Sequence, residues 1–430
     1  MSKKTMMWIT ALMLGLGWAI RGHFGHEWGA SWAGGMAGLA ILVTSKRENW
    51  HRRTPALAAL SAIGWAIAGM ASYGILIGYC RGTHFGNVLY GYTTLFIVGG
   101  LYGFMGGGLF GLGIESSDKK SPDWARLIVE MFVGGFLFWG FFMYQLEWYM
   151  TPPRSELWAG AAGASLALGW YLHREGFHKA LRVAIYTMVG AGFGFAFGNL
   201  IQTFGASTGL SYNWWNVMEF TLGFCGGLAL AWAVATSEWT ETRTPSRSGN
   251  WLGLLFLFLL IPLINFIEAM KIERFEKLAD GLGINDPHTY AVSQAWFGFV
   301  LLIIFLTLAV FLWKKSDNTK EPGTLINIVA GLFFSLSLFY LLDGYIVKGM
   351  FYSGLQLGDS STAYLPIFIA ALILFFFGRR LKIPEIIPVT EEESWKKWAI
   401  LFAGVVIVLL LIAFISVNMH DGTLKFHERF

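Results

Sequence analysis

Long apolar runs divide the chain from end to end, and they restrict what it can fold into more than any other feature. A hydrocarbon core ~30 Å thick is crossed by about 20 apolar residues in a helix, and in lipid the backbone must satisfy its own hydrogen bonds. Apolar residues make up 55% of the 430 residues and charged residues only 13%, which excludes an ordinary soluble domain. The sequence therefore predicts an all-α fold, a polytopic helical bundle in a membrane.

About 13 runs have the length and composition of transmembrane helices. The loops between them are too short for a separate domain, so residues 1–430 are interpreted as one membrane domain. Within it, 1–114 holds the first two of three hairpins discussed below, 125–236 holds the third, and 250–417 holds the C-terminal runs. The runs lie at 5–21, 28–45, 55–79, 86–114, 125–149, 155–172, 179–200, 214–236, 250–269, 291–313, 323–346, 363–378 and 397–417.

Basic residues indicate how the bundle is oriented. With the N terminus in the cytoplasm, the inner segments would hold 22 of the 31 lysines and arginines. Because positive residues are retained on the cytoplasmic side, this distribution predicts an N-in, C-out protein of a bacterial cytoplasmic (inner) membrane. On the outer side, 268–284 has the pattern of an amphipathic helix lying on the membrane surface; a plain extension of the preceding run fits equally well.

Three glycine-rich segments resemble one another and predict repeated hairpins. GWAIRGHFG at 17–25 is echoed by GWAIAGMAS at 64–72 and more loosely by GAGFGFAFG at 190–198. Each precedes an outer loop, and each is followed by a returning run with closely spaced glycines. Parallel hairpins with their tips outside would produce this pattern, although glycine packing that arose independently would produce it too.

The tip of the first hairpin concentrates four ionisable residues, which are costly near a bilayer unless they pair, meet water or bind something. Its residues His23, His26 and Glu27 have the i, i+3, i+4 spacing of one helix face, and such a set can hold Zn²⁺. However, Gly25 weakens a helix there, and Arg21 would repel a cation. We therefore predict no metal and assign these three residues to proton handling, with ordinary interfacial residues as the alternative.

Two arginines at hairpin tips are candidates for substrate binding. Arg21 lies in RGHFG, and Arg81 lies in RGTHFG. His84, in the second of these segments, is a further candidate for substrate binding. Two guanidinium groups brought together would bind a carboxylate, a phosphate or a sulfate. The alternative is that each arginine pairs with an acid such as Glu27 or Glu219, or extends to lipid phosphate. Glu219, about one turn into its run, is the predicted proton carrier.

A third candidate group opens the run at 214–236. Trp214 and Trp215 could stack on a sugar ring, while the amides of Asn213 and Asn216 bind its hydroxyls. Tryptophans at this depth are also typical of the aromatic belt at a membrane interface. Both interpretations stay open from the sequence.

These features favour transport. The first hypothesis is a transporter for a small polar, anionic or sugar-like solute, coupled to H⁺, in which glycine-interrupted helices expose backbone groups to the substrate. The alternatives are a membrane-embedded transferase acting at the outer leaflet on a lipid-linked or glycan substrate, and a non-catalytic subunit or sensor. Expected partners are the lipid bilayer and a small-molecule substrate, with no cofactor. Nucleic acid is not expected because the net charge of +4 is spread over many loops, and a homo-oligomer stays open.

Overall fold

The protein is all-α, as predicted. The computed structural model describes residues 3–45, 47–317, 319, 321–351, 395–420, 422 and 424–430, and the single residues 369, 372, 373 and 376. These residues form helices and connecting turns, and none of them lies in a strand. Eight of the described helices are long and apolar enough to cross a membrane, which indicates an integral membrane protein.

Sixteen helices are labelled here in chain order. They are α1 (Lys3–Ile20), α2 (His26–Thr44), α3 (Glu48–His51), α4 (Thr54–Gly69), α5 (Gly74–Tyr79), α6 (Phe85–Glu115), α7 (Trp124–Gly140), α8 (Trp158–Arg174), α9 (His178–Ser207), α10 (Trp214–Ala235), α11 (Arg247–Leu255), α12 (Ile261–Ala269), α13 (Ile272–Leu282), α14 (Pro287–Asp317), α15 (Pro322–Val347) and α16 (Trp395–Asn418). A π-helical turn continues α7 to Gln145, and another joins α11 to α12 into one span, Arg247–Ala269.

Helices occupy every predicted run except 363–378, which lies outside the described residues apart from four positions. The predicted run 55–79 is not one helix, because the chain leaves the helical conformation at 70–73, between α4 and α5. The eight spans are α6, α7, α9, α10, α11 with α12, α14, α15 and α16. The helices at the other predicted runs, α1, α2, α4 and α8, are shorter or less apolar. A total of 13 crossings, like the duplication and the orientation, stays a prediction.

Six helices pack side by side in a closed ring, called the six-helix ring below. Going round it, α1 contacts α2, α2 contacts α4, α4 contacts α6, α6 contacts α9, α9 contacts α10, and α10 returns to α1. Glycines allow these contacts: a Cβ on Gly99 would lie 2.7 Å from the Ala191 carbonyl oxygen, and one on Gly227 would lie 2.7 Å from that of Thr10. The helices therefore approach more closely than larger residues would permit.

Aromatic side chains fill the middle of the ring. Trp18 of α1 lies with its ring centroid 5.0 Å from that of Trp65 of α4 and 5.1 Å from that of Tyr102 of α6. All three residues are fully buried. Trp18 and Trp65 are the tryptophans of the two GWAI segments, so these segments meet at the centre of the ring.

The two ends of the ring differ in their polar groups. At one end, the tip end, the turn after α1 meets the turn after α4 and the first turns of α10. At the other, the basic end, Arg47 donates to the Trp239 carbonyl, Asn49 donates to the Arg243 carbonyl over 2.8 Å, and Arg53 donates to the Gly113 carbonyl over 2.6 Å. These contacts hold together the loops that enter and leave the ring.

The remaining helices surround the ring. Helices α7 and α8 form a hairpin with each other, α11 packs against α4, α15 against α2, and α16 against α6 and α9. The predicted amphipathic segment is the separate helix α13, not an extension of α12, and its buried residues Phe275 and Ala279 lie on the face that packs against α14. It ends at Gly283, whose φ of +70° is a left-handed conformation that favours glycine.

Candidate functional site

Three buried side chains form a triad at the tip end of the ring. The Arg21 Nη2 donates to the Tyr73 hydroxyl over 2.7 Å, and that hydroxyl donates to Oε1 of Glu219. The guanidinium and the carboxylate are 3.7 Å apart, so the hydroxyl bridges them. Arg21 is 0% exposed, and Tyr73 and Glu219 are each 3% exposed. The Arg21/Tyr73/Glu219 triad therefore places an ion pair where solvent cannot screen it.

The turn after α1 explains why Arg21 is buried. Residues Arg21–Phe24 form one 3₁₀ turn, and Gly25, at a φ of +89°, then starts α2 in a new direction. This turn holds the Arg21 side chain inside the ring, where Nη1 donates to the His26 carbonyl over 3.1 Å. The guanidinium carbon lies 4.7 Å from the centroid of the Trp18 ring, a cation–π contact.

Each member of the triad comes from a different part of the chain. Arg21 lies between α1 and α2, Tyr73 between α4 and α5, and Glu219 in α10. The triad thus links these three parts at the tip end. Removing one member of a buried ion pair leaves the other charge buried without compensation, at a cost of about 3–5 kcal/mol.

A thin layer of side chains separates the triad from the surface. The Trp215 ring is stacked on Tyr73 with centroids 5.9 Å apart, and the His26 ring meets Tyr73 edge-on at 6.0 Å. Trp215 is 39% exposed, and His26 is exposed. Two predicted site residues therefore cover a triad that contains two others, Arg21 and Glu219.

Arg81 lies in a second cluster. It follows α5 and is half-buried, and the Cys80 thiol and the Tyr92 hydroxyl are the titratable groups that act on it electrostatically. Its Nε has no hydrogen-bond partner among the described residues. Tyr73 and Cys80 stand at opposite ends of α5, a helix about 9 Å long. The groups that interact electrostatically with Arg81 thus differ from those that interact with Arg21. The two guanidinium groups do not share a partner among the described residues.

Three polar residues of α9 extend this second cluster, and the sequence interpretation missed them. Asn199 and Thr203 are 0% exposed, and Gln202 is 3% exposed. Asn199 lies beside the Cys80 thiol and Thr203 beside the Tyr92 hydroxyl. Both amide atoms of Asn199, Oε1 of Gln202 and Oγ1 of Thr203 lack a partner of hydrogen-bond geometry within the described part of the chain. Their i, i+3, i+4 spacing inside an apolar run is the signal that could have found them.

The C-terminal segment, residues 424–430, lies against the turn between α5 and α6, which carries Arg81. The His427 amide donates to the Gly78 carbonyl over 3.2 Å, and its carbonyl accepts from Asn87 Nδ2 over 3.0 Å. The Arg429 amide donates to Asn87 Oδ1 over 2.7 Å. Asn87 thus anchors the segment across the turn between α5 and α6.

The remaining residues of the first hairpin tip do not share a helix face. His23 belongs to the 3₁₀ turn and His26 begins α2, because Gly25 redirects the chain between them. His23 is half-buried, and its carbonyl accepts from Arg274 Nη1 over 3.2 Å; Glu27 is half-buried in the first turn of α2. Within the described residues, no three His, Cys, Asp or Glu side chains are grouped closely enough to hold a metal ion.

Other predicted residues cap or support helices. His84 is exposed, and its Nδ1 accepts from the Asn87 amide over 3.4 Å at the start of α6. Asn213 is exposed, and its Oδ1 accepts from the amide of Asn216 over 3.1 Å at the start of α10. The half-buried Trp214 donates from Nε1 to the Leu210 carbonyl over 3.1 Å. These contacts are local. They give Asn213, Asn216 and Trp214, which the sequence assigned to sugar binding, a structural role at the start of α10.

Comparison with protein-family models, curated proteins and solved structures finds no match to this chain. The chemistry of the two clusters is therefore inferred from their own geometry. The triad combines a fixed positive charge, an acid that can exchange a proton, and a hydroxyl between them. The Arg81 cluster adds a second positive charge and buried polar atoms that lack a partner of hydrogen-bond geometry among the described residues.

Proposed function

We propose that the protein is a secondary transporter of a bacterial cytoplasmic membrane that carries a small polar anion together with a proton. The observation that carries this proposal is the buried guanidinium of Arg21, whose counter-charge is supplied through the Tyr73 hydroxyl. Its Nε has no partner among the described residues, so one donor remains for a ligand. A buried arginine of this kind suits recognition of a carboxylate or a phosphate.

Charge balance gives the coupling. When Glu219 is ionised, it neutralises Arg21, and the triad has no net charge. When Glu219 takes up a proton, Arg21 is left with an uncompensated charge that is costly in the membrane. A monovalent anion restores neutrality, so one proton accompanies each anion. The Tyr73 hydroxyl, which touches both partners, is placed to follow the exchange.

The Arg81 cluster supports a path for the same solute. Phe195 of α9 packs edge-on against Tyr73, with ring centroids 4.9 Å apart, and Asn199 lies one turn further along the same face of α9. Buried polar atoms of this cluster lack a partner of hydrogen-bond geometry among the described residues, and leaving them so would cost free energy, which favours water or a polar solute there. Aromatic rings close the middle of the ring, so transport requires a second conformation in which Trp18, Trp65 and Tyr102 separate.

The test is proton flux in proteoliposomes that contain a pH-sensitive dye. External gluconate, lactate, glutamate and inorganic phosphate are added one at a time to vesicles containing the purified parent protein. At least one of these anions should acidify the lumen faster than in protein-free vesicles. Glu219→Gln should abolish that acidification, whereas Glu130→Gln, a change in the exposed pair with Arg126, should leave it intact. Protein-dependent acidification by none of these anions, or full flux in Glu219→Gln, would contradict the proposal.

A further inference from the structure

A groove of about 760 Å³ opens sideways near the basic end, between α4 and the α11–α12 span. Its walls are apolar, with Leu57 and Leu60 of α4 on one side and Leu252, Leu260 and Leu263 on the other. Leu252 is 68% exposed and Leu260 is 43% exposed, so the groove faces the surroundings of the bundle. In a membrane those surroundings are acyl chains.

Two arginines stand at the polar end of this groove. Arg53 donates through Nη2 to the Gly113 carbonyl and, over 3.0 Å, to Ser116 Oγ, contacts that fix its position without neutralising it. Burial and the nearby positive charge of Arg243 together lower the pKa of Arg53 to about 10. Arg53 and Arg243 both line this groove, so their positive charges repel each other.

The acid near these arginines is already occupied. Asp118 acts on both Arg53 and Arg243, but its carboxylate accepts hydrogen bonds from the Thr244 amide, over 3.0 Å, and from the Thr244 hydroxyl, over 2.8 Å. A site with two arginines and one engaged carboxylate keeps a net positive charge. An anion placed between the arginines would relieve their repulsion.

The groove is preformed because its two walls are fixed to each other. A Cβ on Gly253 of α11 would lie 2.6 Å from the carbonyl carbon of Pro55 in α4, so the helices are in backbone contact. Asn250 Nδ2 donates to the Arg52 carbonyl over 2.8 Å, which ties α11 to the start of α4. A ligand would therefore enter without rearranging the helices.

The geometry points to a binding site for one anionic phospholipid, with its phosphate between Arg53 and Arg243 and its acyl chains along the leucine walls. The combination decides the class of ligand: a free phosphate would leave the apolar walls unused, and a zwitterionic lipid would bring a positive headgroup charge to a site that is already positive. Basic pockets between helices are suited to anionic headgroups. This site is independent of the proposed transport, because it lies at the opposite end of the ring from the triad.

Native mass spectrometry of the purified chain in detergent tests this site, with dioleoylphosphatidylglycerol as the probe. The parent should retain one phosphatidylglycerol more strongly than dioleoylphosphatidylcholine. Arg243→Gln should weaken that binding about fivefold, which corresponds to the ~1 kcal/mol expected per basic residue near a headgroup. Arg243→Lys should bind as the parent does, and Arg126→Gln, a control arginine in an exposed pair on α7, should change nothing.

Three outcomes would overturn the inference. Equal retention of the two lipids would show that charge plays no part. Unchanged binding in Arg243→Gln would place the lipid elsewhere. Displacement of the lipid by millimolar glycerol phosphate would show a simple anion site, because the headgroup alone would then supply all the affinity. Thermal unfolding of each variant in lipid-free detergent separates a binding defect from misfolding.

Discussion

The ring helix α6 and the peripheral helices α14 and α16 are buried to different extents, and the difference does not follow hydrophobicity. In α6 of the ring, 78% of the residues in the most apolar stretch are buried, whereas in α16, at the periphery, only 22% are. Yet α16 is more apolar than α6. Helix α14 is also more apolar than α6, and only 28% of the residues in its most apolar stretch are buried. In water this order would be reversed.

The comparison shows what holds a bundle together in lipid. Acyl chains solvate leucine and isoleucine as well as another helix does, so apolar side chains gain little by leaving them. Glycine contacts and buried polar groups associate the ring helices instead. The most apolar helices are left to face the lipid. The ring is therefore the rigid part that can hold a charged triad, and the periphery is its connection to the membrane.

The largest expected effect comes from filling a ring contact. Gly99→Leu or Gly227→Leu would push a side chain into the backbone of α9 or α1, which cannot yield, so folded protein should be nearly lost. Gly404→Leu in α16 is the matched control, because a Cβ there has nothing within 4 Å, and it should purify like the parent. Yield of monodisperse protein by size-exclusion chromatography measures the difference. Equal yields for ring and control variants would remove the distinction between the two regions.

A smaller effect is expected from the charges. Glu219→Gln leaves Arg21 buried without a counter-charge and should destabilise the protein by about 3–5 kcal/mol. Glu130→Gln at the periphery breaks exposed pairs with Arg126 and Arg174 and should cost no more than about 1 kcal/mol. Denaturant unfolding in mixed micelles compares the two. Similar losses would mean that the triad is not sheltered as the ring geometry implies.

The helices were predictable because bilayer thickness imposes length and composition on them. The separation of α13 from α12 was one of two alternatives that the sequence left open. The sequence predicted that Gly25 would weaken a helix carrying His23, His26 and Glu27, but it did not predict that the chain changes direction there. In each of these cases the information is local to a few residues.

The site was predictable only in part because its contacts are distant in sequence. Pairing of Arg21 with Glu219 was one of the alternatives stated for it, since few acids lie at that depth. The sequence analysis missed Tyr73, because a tyrosine at a helix end is typical of a membrane interface. Its hydrogen-bond partner, Glu219, lies 146 residues away in the sequence. Two further facts could be learned only from the tertiary fold. Arg81 and Arg21 have different partners, and the C-terminal segment beside Arg81 is bonded to Asn87, 340 residues away in the sequence.

The central claim is that the ring buries a charge pair which must be kept neutral. A rescue measurement tests this claim most directly. The free energy of unfolding is measured for the parent, Arg21→Gln, Glu219→Gln and the double variant. Since the double variant has no buried charge in the triad, it should be more stable than Glu219→Gln alone by about 1 kcal/mol or more. If the two losses simply add, so that the double variant is the least stable of the four, Arg21 and Glu219 do not interact, and the account of the triad is wrong.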